Sequence, residues 1–469
     1  MKSHPLRFFL CWACALLLFL GVCAFALPAR FDTTYSAALQ DKVARLRESD
    51  GPRVIVIGGS CVPFALDSAR MEAQLPGYTV VDYGLYAEMG VTVMLDLAAP
   101  ELRAGDLVIL MPEQSAISLS DHVSGETLWQ ATDGAPLLLT RLSSARLPAL
   151  AAAFPAFSAK KLYYTLTGGP QTEGIYTREA FNAYGDILQE ARPGNIMTDG
   201  YQADALIRFD GALLSDTFVD AVRAFAQAAE KVGATVLWHD PPMNRAALAP
   251  GTSVAMIDAW REQLAARLGL ECLGSPHRCL LESGWFYDSN FHLNGSGSLV
   301  FTKMLIEDEK VWLGDTSVTD ISLPAMPAAV RTDLVGDDSD ADCFIYMAVD
   351  SGWQISGLTE AGRAASSLTV PTTWQGKPVT GLDAALFHDC TQLREVVIQA
   401  NIHALPDGLF RGCTRLSRLV LRDGTPTGCT VGEGLTDGAS FLIVVPAAQA
   451  DSYRLSYFWQ RYAEWIVGE

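Results

Sequence analysis

Basic charge is what this chain has least of. Lysine and arginine number 34 against 53 aspartates and glutamates, a formal net charge of -19. A nucleic-acid partner needs a basic face, so none is expected. No group of cysteines and histidines has the spacing of zinc ligands, so neither a metal nor a cofactor is expected. Long apolar runs are scarce too. Only residues 8–27 form one, which excludes a protein with several membrane spans. Apolar residues make up 49% and charged residues 19%, the balance of a globular chain rather than a disordered one. At 469 residues, two or three domains are expected.

The apolar run, FFLCWACALLLFLGVCAFAL, is long enough as a helix to cross a bilayer core of ~30 Å at ~1.5 Å per residue. Lys2 and Arg7 precede it, which predicts a cytoplasmic N-terminus and everything after about residue 30 outside. Residues 1–30 are therefore read as a single-pass anchor. The small residues around Ala26 and Ala29 leave a cleaved signal peptide as the alternative, in which case the protein is secreted. Outside the cell, Cys272 and Cys279 are close enough in sequence to close a small disulfide loop. Two unpaired thiols are the equal alternative.

Residues 31–52 are polar, with Leu39, Val43 and Leu46 at helical spacing, and read as a stalk. An alternating pattern follows. Short strands are expected at Arg53–Ile57, Tyr78–Asp82, Asp106–Met111, Ala234–Trp238 and Leu270–Leu273. Helices are expected at Ala65–Gln74, Val91–Ala98, Thr217–Val232 and Ile257–Leu268. Strands alternating with helices predict a parallel sheet covered on both faces, within a domain spanning 53–335. Residues 115–215, rich in alanine, proline and tyrosine, break the pattern and read as a helical insertion near the site. An acidic stretch at 336–342, GDDSDAD, reads as a linker to a different module at 343–469.

Two short motifs carry the chemistry. Gly58-Gly59-Ser60 ends the buried run Val54–Ile57, and Asp288-Ser289-Asn290-Phe291-His292 lies late in the same domain. Parallel sheets place their sites at the C-terminal ends of the strands, where Ser60 falls. A serine hydroxyl is a weak nucleophile at neutral pH. A histidine must take its proton, and a carboxylate must orient that histidine and stabilise its charged form. Ser60, His292 and Asp288 are the candidates. His239, Asp240 and Asn244 follow the fourth strand and are candidate substrate contacts.

The order of these motifs resembles the SGNH, or GDSL-like, hydrolase superfamily. That resemblance implies a flavodoxin-like three-layer α/β/α sandwich, with Ser60 as nucleophile and Asp288 and His292 as its partners. It also implies an oxyanion hole from the N–H groups of Ser60 and Gly84, the latter in Asp82-Tyr83-Gly84. The chain departs from the family in two places. Asp288 and His292 are four residues apart rather than three, and Met111-Pro112-Glu113-Gln114 stands where the family carries an asparagine. Gln114 can donate a hydrogen bond in its place; an ionised Glu113 cannot. The absence of G-x-S-x-G sets the chain apart from α/β-hydrolases. The branch it looks most similar to comprises membrane-anchored members that act on cell-envelope polymers.

In the last module, Leu386-Phe387-His388-Asp389-Cys390-Thr391-Gln392-Leu393 recurs as Leu409-Phe410-Arg411-Gly412-Cys413-Thr414-Arg415-Leu416, at an offset of 23 residues. A period in the low twenties is that of leucine-rich repeats, and the segment resembles the BspA type of bacterial surface proteins. The resemblance implies a short solenoid that binds a partner or acts as a spacer. Cys390 and Cys413 read as small core residues.

These readings combine into one expectation: an extracytoplasmic serine esterase or O-acyltransferase acting on acyl esters of cell-envelope glycans. Its partners are the envelope glycan or acyl ester, the membrane through the N-terminal helix, and a protein met by the repeats. The alternative is a non-catalytic surface binding protein whose SGNH-like fold is degenerate.

Overall fold

The computed structural model describes residues 4–170, 172, 174–327, 338–422, 429–437 and 439–469. The first two residues of the expected linker, 336 and 337, and the end of the expected 53–335 domain fall outside these. The chain is a mixed α/β protein with parallel sheets and one N-terminal apolar helix.

That helix, α1, runs His4–Phe25, and its stretch Arg7–Phe25 is long and apolar enough to cross a membrane. The segment after it is not a stalk. Phe31, Leu39 and Leu46 are buried, and α2 (Ala38–Glu48) packs against the first sheet. Its helical spacing was legible, but the face it covers lies on strands that come later in the chain.

The α/β part then follows in chain order. It contains β1 (Arg53–Gly58), α3 (Cys61–Ala65), α4 (Ser68–Gln74), β2 (Thr79–Gly84), α5 (Val91–Ala98), β3 (Leu107–Met111), α6 (Gly125–Ala131) and α7 (Leu147–Thr167). It continues with α8 (Asp216–Val232), β4 (Thr235–Trp238), β5 (Met243–Asn244), α9 (Val254–Leu268), β6 (Glu271–Cys272), β7 (Leu280–Leu281) and α10 (Gly295–Leu313). Five strands pair in parallel in the order β2-β1-β3-β4-β6. β1 lies inside this sheet and is buried along its whole length, which suits its β-branched run. The strand order reverses direction after β2, so right-handed crossovers send helices to opposite faces. α5 packs with α8 on one side, and α10 with α3 and α4 on the other. The helix expected at Ala65–Gln74 is two helices, broken at Leu66–Asp67, where the Asp67 side chain caps α4.

The C-terminal part comprises β8 (Phe344–Val349), β9 (Gly352–Leu358), α11 (Glu360–Ala364), β10 (Ser367–Val370), β11 (Thr373–Trp374) and β12 (Lys377–Leu382). Then come β13 (Glu395–Ile398), β14 (Ala404–Leu405), β15 (Arg418–Leu421), β16 (Thr430–Val431), β17 (Leu442–Val445), α12 (Ala450–Leu455) and β18 (Ile466–Gly468). A second parallel sheet runs β10-β13-β15-β17-β18, with Val396 opposite Leu419 and Leu419 opposite Ile443. Equivalent side chains of the sequence repeat stack. The rings of Phe387 and Phe410 lie 5.3 Å apart, 14° from parallel. Asp389 takes a left-handed backbone (φ 58°) where the next repeat has Gly412 (φ 79°). Cys390 and Cys413 are buried, and all ten cysteines are free thiols, Cys272 and Cys279 included.

The sequence divides the chain into two modules joined by a linker, but the described residues of the two parts share one core. The buried residues form one continuous cluster. Phe458 stacks on Trp285 at 5.6 Å, and the Tyr457 hydroxyl donates to Glu307 Oε2 of α10 at 3.1 Å. Thr430 donates to the Pro324 carbonyl at 2.8 Å.

Candidate active site

Ser60 is the second residue after β1, at the C-terminal edge of the sheet. The two preceding glycines are needed because other groups come too close for a side chain. A Cβ on Gly58 would lie 2.2 Å from the Met111 carbonyl oxygen, and one on Gly59 would lie 2.3 Å from the Glu113 carboxylate. Ser60 stands at the start of α3, yet its hydroxyl makes no capping bond. It faces the late loop instead. Ser60 Oγ lies 2.8 Å from His292 Nε2, and His292 Nδ1 lies 2.8 Å from Asp288 Oδ1. The three candidates of the catalytic unit are thus brought together.

The four-residue interval works because residues 287–292 close on themselves. The Tyr287 N–H donates to the His292 carbonyl at 2.8 Å, and Ser289 Oγ accepts the N–H groups of Phe291 and His292. The imidazole lies flat on Phe64, with ring centres 4.0 Å apart and 10° between planes. Burial works against a charge on Asp288. The hydrogen bonds from His292 and Tyr176 outweigh it and hold the carboxyl below its ordinary value.

Tyr176 was not singled out for the site. It lies in the insertion, in a stretch without periodicity. Its hydroxyl donates to Asp288 Oδ2 at 2.5 Å, and burial together with that carboxylate pushes its own pKa up. Arg192, also from the insertion, is fully buried. Its guanidinium donates to the carbonyls of Phe64 and Leu293 at 2.5 Å each, and to that of Ile187 at 3.0 Å. Burial lowers its pKa to about 10. It therefore ties the serine's helix to the histidine's loop.

The expected oxyanion donors fare differently. The Gly84 N–H is taken by Asp82 Oδ1 at 2.9 Å, so it is not aimed at a reacting oxygen. Gly84 is glycine for space, since a Cβ there would lie 2.3 Å from Val62 Cβ. Gln114 donates its amide to the Arg208 carbonyl at 3.0 Å, which anchors the insertion. The Ser60 N–H remains the candidate donor. Glu113 points at Ser60. Its Oε1 accepts the Ser60 hydroxyl at 3.0 Å and the Cys61 N–H at 2.9 Å, while Oε2 accepts the Ser118 hydroxyl at 2.6 Å. Beneath the site Lys42 donates to Asp82 Oδ1 at 2.9 Å and to the Gly185 carbonyl at 2.7 Å. Burial pushes the Asp82 carboxyl up to about 7 against the pull of Lys42.

The three expected substrate contacts are structural. His239 is buried between the Asp240 carbonyl, 2.7 Å from Nδ1, and Asp308 Oδ2 of α10, 3.2 Å from Nε2. Asp240 is bound by Arg261 of α9 and by the Trp238 indole N–H. Asn244 donates to the Gly200 carbonyl at 2.8 Å and accepts from Ser283 at 3.0 Å. Each has its polar groups satisfied inside the protein, and none joins the Ser60–His292–Asp288 chain. Among the described residues no group of His, Cys, Asp and Glu side chains has metal-binding geometry.

No family model matches the chain, and no curated protein matches it. Among solved structures, that of the protein YxiM from Bacillus subtilis aligns over 57% of this chain at 11% identity, with a TM-score of 0.27. The match spans 58% of that protein's chain. A likeness of that size carries no argument about fold or activity.

Proposed function

We propose that this chain is a serine-nucleophile enzyme of acyl esters, an esterase or O-acyltransferase acting on cell-envelope glycans outside the membrane. The observation that carries the proposal is the unbroken hydrogen-bond chain Ser60 Oγ–His292 Nε2 (2.8 Å) and His292 Nδ1–Asp288 Oδ1 (2.8 Å). In this reading Ser60 Oγ attacks the acyl carbonyl while His292 takes its proton and Asp288 stabilises the imidazolium. The alcohol departs with that proton. Water or a glycan hydroxyl then attacks the acyl-serine, with His292 as base again. The Ser60 N–H receives the oxyanion.

Strand order β2-β1-β3-β4-β6 with helices on both faces supports a flavodoxin-like, SGNH-type sandwich. Parallel strands stacked at the sequence repeat support a leucine-rich-repeat solenoid. The apolar α1 supports a membrane anchor with the domains outside. Protease added to intact cells should then digest the repeats; their protection until lysis counts against the outside placement.

Two observations favour the second reading, a binding protein with a degenerate site. The Gly84 N–H is occupied, and a carboxylate faces Ser60 where the family places an oxyanion donor. A fluorophosphonate probe separates the two. The enzyme reading requires covalent labelling of Ser60 that disappears in Ser60→Ala and His292→Ala. A folded wild type that does not react favours the binding protein.

A further inference from the structure

α7 has an outer face without a partner. Its residues Leu147, Ala151, Ala152, Pro155, Ala156, Ala159, Tyr163 and Leu166 are exposed, Leu147 by 57%, Tyr163 by 60% and Leu166 by 78%. At 100° per residue they cover about half the helix circumference. None carries a charge. Of the two charges of the helix, Lys160 borders this face and Lys161 is buried on the other side. Lys160 pairs with Glu126 at 2.7 Å, and buried Lys161 pairs with Asp133 and donates to the Ala24 carbonyl. In a protein of net charge -19, an uncharged helix face of this length is not a solvated surface.

The place of this face in the molecule names its occupant. α1 ends against the middle of α7. Phe25 lies 6.2 Å from Phe154 and 5.9 Å from Trp129, and Lys161 holds the Ala24 carbonyl at 2.8 Å. The chain then runs along α7, with Phe31 on Phe157 and Tyr164. Wherever α1 leaves a bilayer, α7 is therefore beside the headgroups. An apolar helix face with a tyrosine, held at that depth, has the chemistry of an interfacial helix.

We infer that the outer face of α7 rests in the phospholipid surface of the membrane that α1 crosses, and so holds the Ser60 site against that surface. The inference rests on the anchor reading given above. The link from membrane to site is short. Thr34 pairs with Thr177 as a β-bridge, Tyr35 packs on Tyr176 at 5.5 Å, and Tyr176 binds Asp288. Nine or ten residues past α1, the chain is already a wall of the catalytic unit. The substrate fitted by this placement is an acyl ester held at the membrane surface rather than one free in the medium.

The test uses the full-length protein in phosphatidylcholine–phosphatidylglycerol vesicles. These contain a phospholipid with a diazirine near the top of its acyl chain. After irradiation, lipid adducts are mapped by peptide mass spectrometry. Adducts are expected in α1 and also in residues 147–166. A variant with Leu147→Glu, Tyr163→Glu and Leu166→Glu should keep the α1 adducts and lose those in α7 at least fivefold. Wild-type adducts confined to α1 overturn the inference. So do protein–protein cross-links joining α7 to a second copy or another protein in place of lipid, formed when a diazirine amino acid replaces Tyr163. Absence of adducts from α1 as well overturns the anchor reading, and the inference falls with it. The wild-type map decides the matter even if the triple variant does not fold.

Discussion

Glu113 Oε1 lies 3.0 Å from Ser60 Oγ, so a carboxylate stands beside the proposed nucleophile. Ser60 has one hydroxyl proton and two acceptors for it, His292 and Glu113. An ionised carboxylate also repels the negative charge that develops on a tetrahedral intermediate. Glu113→Gln keeps an acceptor for the Cys61 N–H and adds an amide donor. One oxyanion donor is worth ~10² to 10³ in turnover. The variant should therefore hydrolyse a small acyl ester about tenfold faster than wild type. A folded variant that is slower shows that the carboxylate takes part in the reaction.

Ser60→Ala and His292→Ala should each lower kcat by ~10⁴ to 10⁶, and the double variant should be no worse than either, because the residues act as one unit. Asp288→Asn should be milder. Steady-state kinetics on the purified full-length protein decide this. Wild-type turnover in both alanine variants would sink the assignment.

Tyr176→Phe removes one hydrogen bond to a charged carboxylate and leaves the ring contacts in place. Such bonds contribute ~1.5–3 kcal/mol. The variant should lose roughly tenfold in kcat with KM little changed, since the tyrosine positions Asp288 and acts through it. An unchanged kcat shows that the 287–292 loop holds Asp288 unaided.

Asp82 gives a stability prediction. Its folded value is raised from the ordinary 3.8 to about 7. Between those values the folded state binds the proton that the unfolded state has lost, so stability falls as pH rises. The contribution is complete below about pH 4 and gone above about pH 7. Urea unfolding of Asp82→Asn should show a flatter pH dependence than wild type across that window. Parallel curves would mean that Lys42 keeps Asp82 ionised throughout.

The contact between the two parts predicts joint unfolding. Phe458→Ala leaves a cavity against Trp285, and a buried Phe→Ala change typically costs ~3–5 kcal/mol. Calorimetry of the full chain should give one transition, lowered by this change. Two transitions, with only the later part affected, would mean that the cores are independent after all.

What the sequence made legible follows from where each signal resides. Ser60, His292 and Asp288 were readable as a candidate unit because Ser60 follows a strand end and the aspartate and histidine stand together on one late loop. The alternation of strands and helices was readable from periodicity. Hydrogen-bond partners were not. His239 and Asp240 read as site residues because they end a strand, but Asp308 and Arg261 bind them from helices later in the chain. Gly84 stood at the right strand end, but Asp82, two residues before it, turns back to take its N–H. Tyr176 and Arg192 lie in a stretch without periodicity, so no pattern marked them.

Arg192 bears on the life of the chain before it is fully folded. Its guanidinium joins the carbonyl of Phe64 to that of Leu293, two points far apart in sequence that flank the serine and the histidine. Until the stretch carrying Arg192 is seated, Ser60 and His292 lack this buried brace. A chain that has not yet seated this stretch thus lacks the tie that holds α3 to the loop carrying His292.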